Sequence, residues 1–267
     1  MKKVIPHTVR NTTSKKRQLL MRTLAILFWL AAWVAAAKLI DRELFLPGPL
    51  LVFSSLSRLI TSDSYLPAIG NSMINIISGY LLALLTGTLL AVISYRAAAL
   101  RAFISLPLRI VRTIPVASFI ILALLWFSSK RLAFVISFLM VVPIIYENVL
   151  EGLDNTDKEL LEMSYIVKMP VARKIKLIYF PQIFPYLCAA LSTGAGLAWK
   201  SGVAAEVIGI SRNTIGNRLY QSKIYLDTPE LFAWTLTIIA ISLVFEGGIK
   251  AVLKLVQGHA CTGKDKK

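Results

Sequence analysis

Histidine and cysteine are nearly missing from this chain of 267 residues, each occurring twice. His7 and His259 lie in the tails, no HExxH is present, and Cys188 and Cys261 are far apart in sequence. Neither a metal cluster nor a disulfide framework can be built from them. No serine stands beside a recognisable base, so an intramembrane enzyme is poorly supported. Acidic residues are also scarce, 14 against 30 Lys and Arg, for a net charge of +16. In a soluble protein that imbalance would suggest nucleic acid, but the charged share is only 16% and the hydrophobic share 56%, against about 25% charged in ordinary soluble domains. With a mean hydropathy of +0.67, the chain is an integral membrane protein, and its positive residues are topology determinants. The basic tail VRNTTSKKRQ is explained the same way, with no nucleic acid partner. A glycine is missing where it would matter most. GAGLAWKS, residues 194–201, nearly matches the phosphate-binding GxxxxGK[ST], but Trp199 occupies the position before Lys200 where close backbone approach requires glycine. Its glycines, alanines, Ser192 and Thr193 instead form a small-residue face suited to close helix packing.

Apolar runs give an expected all-α polytopic protein of about six transmembrane helices: 23–40, 73–94, 114–127, 132–146, 186–210 and 231–245. Three of these runs are short of the roughly 20 residues a crossing needs. They must extend into flanking polar residues or be shielded by protein. Pro107 and Pro115 interrupt the approach to the third span, and SLPLRIVRT before it is placed along the membrane surface. Lys and Arg number 21 on one side and seven on the other, with Lys38 and Lys200 inside spans. This asymmetry puts both termini in the cytoplasm. The implied division is a basic tail 1–22, a membrane domain 23–255 and a second tail 256–267, in contact with membrane lipid throughout. The first apolar run lacks a convincing cleavage site and is read as a retained span.

The longest cytoplasmic connection, about 155–181, carries helix punctuation. Thr156 and Glu159 match a capping box, Pro170 breaks one helix and opens another, and Pro181 returns the chain to the membrane. Two short helices at an angle are expected.

Within that loop, Glu162-Met-Ser164, then Lys168, then nine residues, then Ile178-Tyr-Phe180-Pro181 resembles the EAA loop of permease subunits in bacterial ABC importers. Met163, Ser164, Phe180 and Lys168 depart from the family's usual residues. Lys168 replaces a glycine and matters most wherever φ is positive. LPGPL at 46–50, Arg112-Thr-Ile-Pro115 and AWKSGVAAEVIG at 198–209 are similar to the nitrate/sulfonate/taurine-type branch, over roughly residues 20–255. The resemblance implies a permease of the bacterial cytoplasmic membrane that forms the pathway for a small solute. The cargo class stays open between nitrate, a sulfonate and a vitamin-like molecule. It implies a cytoplasmic ABC ATPase dimer, a second, identical permease chain and an external substrate-binding protein. ATP and Mg are bound by the ATPase, leaving this chain without a cofactor or catalytic residue. Contact with the ATPase falls to Glu159, Glu162, Ser164 and Lys168, with Ile178 and Pro181 holding the second helix. Asn75, Ser78, Lys200 and Glu206 are assigned to the pathway or the dimer seam. Lys200 and Glu206 lie six residues apart, about 600° around an ideal helix, so a mutual ion pair is not expected. Snorkelling of Lys200 to the outer interface, where Glu206 would also lie, is the competing reading for both. An ion-coupled secondary transporter is the alternative function, although the two halves show no convincing inverted repeat.

Overall fold

A computed structural model of the chain describes residues 15–261. Lys2, Lys3, Arg10, His7 and residues 262–267, assigned above to the tails, lie outside the described residues. Among the described residues the only regular structure is helical. Five helical segments are long and apolar enough to cross a membrane: Leu19–Ile40, Tyr65–Arg96, Ser129–Asp154, Val171–Ile208 and Thr228–Val256. The first belongs to α1 (Lys15–Ile40), which takes in Lys15, Lys16, Arg17 and Arg22 from the expected tail. α1 is apolar all round yet buries almost nothing against the rest of the chain, as expected of a helix solvated by lipid. Trp33 anchors it, donating to the Pro47 carbonyl at 3.1 Å and stacking on Phe232. The LPGPL segment leads into α2 (Pro49–Ile60), with Pro49 at the first helical position, where its missing N–H costs nothing.

The third expected span is broken rather than straight. Residues 114–127 do not form one helix, and a sixth crossing is reached only if the bent pair around them counts as one span. α4 (Ala98–Thr113) and α5 (Val116–Ala123) meet at a 105° bend. α5 has eight residues, about 12 Å at 1.5 Å per residue, well short of a hydrocarbon layer of about 30 Å. The break falls at Ile114 because a residue before proline is pushed out of the helical region, and Ile114 is extended with ψ 135°. Pro107, also expected to interrupt, is instead accommodated inside α4. α4 buries no residue fully and is tied to α6 (Ser129–Asp154) by Arg101–Asp154 at 2.7 Å and by Arg112–Glu147.

The core is a three-helix contact of α6 with α3 (Tyr65–Arg96) and the long helix ending at Ile208. Small residues set its spacing. A Cβ on Gly79 would stand 2.3 Å from the Phe134 carbonyl oxygen, and one on Gly202 would meet Ile76 at 2.5 Å and Ser137 at 2.6 Å. Lipid tails are as apolar as leucine, so helices in a membrane gain from such close packing and from hydrogen bonds between them. Tyr80 donates to the Leu191 carbonyl at 2.9 Å and Ser137 to the Ala198 carbonyl at 3.0 Å. The face of GAGLAWKS that carries Gly194, Ala195 and Ala198 is buried here, as its composition suggested.

Overpacking a tight contact costs about 1–3 kcal/mol or more, and here backbone would have to move. Gly79→Val should lower the thermal midpoint in detergent by several degrees or abolish folded protein. Gly248→Ala, where an added Cβ meets nothing within 4 Å, should change it little. Equal midpoints would refute the close-contact account.

Candidate functional site

The two ends of this bundle carry different chemistry. At one end α6 stops at Asn155, and the chain turns into α7 (Lys158–Ile166). The expected cap is corrected: Thr156 is buried and donates to the Gly152 carbonyl at 3.2 Å. Asp157 caps the helix, accepting from the N–H of Glu159 at 2.9 Å and of Leu160 at 3.4 Å. A carboxylate also suits the positive end of the helix dipole better than a hydroxyl. The Asp157 N–H donates to Gln182 at 2.7 Å, fixing the start of α7 to the returning helix.

α7 ends in a Schellman motif. The Met169 N–H reaches the Ser164 carbonyl at 2.9 Å, the Lys168 N–H reaches the Tyr165 carbonyl at 3.0 Å, and Lys168 sits at φ +47°. This geometry needs one left-handed residue, which explains why glycine is favoured there. Lysine meets the requirement at some cost. Glu159, Glu162 and Lys168 are exposed, while Ser164 is buried and donates to the Leu161 carbonyl at 2.6 Å. Ser164 therefore lies beneath the exposed face rather than on it. That face also presents apolar surface, with Tyr165 84% and Ile166 79% exposed.

The return to the membrane is also corrected. Pro181 does not separate two helices. α8 (Val171–Lys174), a π-helical turn (Ile175–Tyr179) and α9 (Phe180–Ile208) form one uninterrupted helical segment. In the π turn the Phe180 N–H bonds to the Ile175 carbonyl five residues back. This wider turn precedes Pro181, which has no N–H to give and whose ring would crowd an ordinary α-turn. Ile178 is buried in the π turn and Pro181 is exposed.

At the opposite end, Glu206 is corrected most sharply. It does not lie at the surface but is fully buried. One carboxyl oxygen accepts from the Ser72 hydroxyl at 2.7 Å and from the Gly216 N–H at 3.1 Å, and the Ser72 oxygen accepts from the Ile215 N–H at 3.0 Å. These bonds join α9, α3 and the start of α10 (Ile215–Ile224). Gly216 is required, because a Cβ there would stand 2.4 Å from that of Glu206. Glu206 thus has an internal bonding role in place of the expected exposure to pathway or seam. Lys200 is exposed, beside an apolar recess lined by Trp199, Val203 and Leu219. Asn75 borders a separate basin at this end, and exposed Ser78 donates to the Asn75 carbonyl at 3.0 Å within its own helix.

Sequence reading missed the partners of these groups. Arg112 lies in a noticed segment, but Glu147 is 35 residues away. Together with Asn148, Thr193, Met140 and Pro143 they line a cavity of about 300 Å³ between α4, α6 and α9.

Removing a partner from a buried hydrogen-bonded group costs about 1–3 kcal/mol. Glu206→Ala should lower the thermal midpoint by several degrees, whereas Glu206→Gln, which keeps an acceptor for Ser72 and Gly216, should stay much closer to the parent. A larger loss in the glutamine variant would contradict the bonding role. At Lys168, Gly should be tolerated, while Val, which resists positive φ, should cost about 1–2 kcal/mol. Thermal midpoints and limited proteolysis of the loop would distinguish them.

The protein family described as binding-protein-dependent transport system inner membrane component matches residues 79–256. A probable ABC transporter permease of Brucella melitensis is 25% identical over 211 residues, covering 77% of this chain and 84% of the relative. The putative aliphatic sulfonates transport permease of Bacillus subtilis is 20% identical over 193 residues, covering 70% and 68%. The taurine transport system permease of Escherichia coli is 22% identical over 245 residues, covering 90% and 88%. The matched region takes in the second half of α3, all of α6 and α9, and the capped loop between them, and the chain belongs to this family of membrane-embedded ABC importer permeases.

Proposed function

We propose that this chain forms the pathway for a small solute of the sulfonate or taurine kind and couples it to a separate ATPase through residues 155–181. The observation that carries this reading is the exposed apolar and acidic face of α7, which no other part of the described chain covers. A short helix of this character suits a groove in a partner domain. Glu159, Glu162 and Lys168 make the polar contacts, Tyr165 and Ile166 the apolar ones, and Ser164 supports them from beneath. Ile178 and Pro181 seat the start of the returning helix.

Binding of ATP and Mg belongs to the two cytoplasmic ATPases, and the family to which this chain belongs supplies a non-catalytic transport subunit. Closure of the ATPases displaces α7. The Asp157–Gln182 bond and the uninterrupted helix from Val171 to Ile208 transmit that displacement. At 1.5 Å per residue its 38 residues span about 57 Å, from the coupling loop to the Glu206 junction. A second chain of the same kind completes the pathway, and an external binding protein delivers the solute. Both termini lie in the bacterial cytoplasm, in line with the excess of Lys and Arg on that side.

The test is co-purification from native membranes in mild detergent. The unaltered chain should retain a specific ATP-binding partner, and Glu162→Lys should lose most of it while keeping its thermal midpoint. Equal retention would remove the coupling contact from α7.

A further inference from the structure

The end of the bundle opposite the coupling loop has only seven Lys and Arg in the sequence. Three of them, Lys130, Arg131 and Arg212, gather around one cavity of about 590 Å³ with Asn71, Asn75 and Asn213. No carboxyl group lines it, and among the described residues none of the three cations has an ion-pair partner. Glu206 is close in the fold, bonded to Ser72 beside Asn71, but its carboxyl is enclosed behind the wall.

The wall itself is fixed. The segment that carries Arg212 runs from Gly209 to Thr214 and contains two left-handed residues, Ile210 at φ +50° and Asn213 at φ +57°. Asn71 donates to the Asn213 carbonyl at 2.9 Å, Ser211 to the Ser129 carbonyl, and Thr214 to the Ser211 carbonyl at 2.7 Å. The Glu206–Gly216 and Ser72–Ile215 bonds secure the residues that follow. The backbone bearing the cations is therefore held to α3 and α6, so their spacing does not have to be organised by a ligand.

We propose that this basin is a binding site for small oxyanions at the outer mouth of the permease. The proposal rests on the importer reading above and adds a place and a charge requirement to it. Guanidinium groups match the oxygens of a sulfonate-like or phosphate-like group, and the lysine adds a point charge. The Asn75 amide offers further N–H donors. At about 30 Å³ per water, the basin holds such an anion with much of its hydration shell. Unpaired cations in a concave site raise the local concentration of anions. Their exposure keeps binding weak, as suits a site that must also release.

The complex as it co-purifies would be placed in zwitterionic phosphatidylcholine nanodiscs, with trifluoromethanesulfonate as a fluorine NMR probe. The parent should broaden the probe signal, and inorganic sulfate should compete. A Lys130→Gln, Arg131→Gln, Arg212→Gln triple variant should weaken the effect about tenfold. Asn75→Asp, which places a carboxylate inside the basin without altering its rim, should also weaken it. Lys223→Gln, a cation at the same end but outside the basin, should leave it unchanged. Broadening that is absent in the parent, or equal in the parent and both basin variants, overturns the site. A triple variant that loses only the external binding protein, with no probe broadening in the parent, also overturns it and makes the rim a protein-docking surface. Retention of the ATPase, measured on the same samples, reports separately on the importer reading.

Discussion

Close approach of three helices in a lipid solvent is the constraint on which the rest of this structure depends. Water supplies no drive to separate α3, α6 and α9 from lipid, so their association relies on dispersion contacts and hydrogen bonds at short range. Gly79, Gly87 and Gly202 permit that range because side chains or backbone of the neighbouring helix occupy the space a Cβ would take. Tyr80 and Ser137 then satisfy their hydroxyls on backbone carbonyls of α9. Each polar group is affordable only because the helices are close, and the helices are closer because the residues between them are small.

From this core the two ends follow. One carries a helix whose start is capped by Asp157 and whose end is closed by a left-handed Lys168, leaving the apolar and acidic face between them outward. The other carries a tight segment held by Asn71 and Ser72 from α3 and by Glu206 from α9. The π turn before Pro181 lets one helix join both ends without a break. The local widening accommodates Pro181, whose missing N–H and ring disfavour an ordinary α-turn, and the helix continues from the α7 loop to the Glu206 junction.

Much of this was legible in the sequence where the signal was local. Apolar runs located five long helices, Pro115 fell at the break in the third span, the punctuation of 155–181 marked a helical loop, and GAGLAWKS disclosed its packing face. Local signals also misled. Thr156 satisfied a capping pattern, but Asp157 beside it has the carboxyl that reaches two amides. Glu206 in an apolar run suggested an exposed or pathway carboxyl because its partner Ser72 lies 134 residues away and Gly216, though ten residues on, belongs to a separate helix.

The sequence by itself determined that the chain lives in lipid, that it is helical, and where its basic loops fall between the apolar runs. Those properties follow from residue-by-residue transfer costs and turn preferences, which act over a few neighbours. Tertiary structure alone decided that Glu206 is enclosed, that Arg112 meets Glu147, and that Lys130, Arg131 and Arg212 surround one basin. Such relations depend on the rotation and depth of whole helices, and these are set when glycine notches engage side chains and backbone of helices remote in sequence.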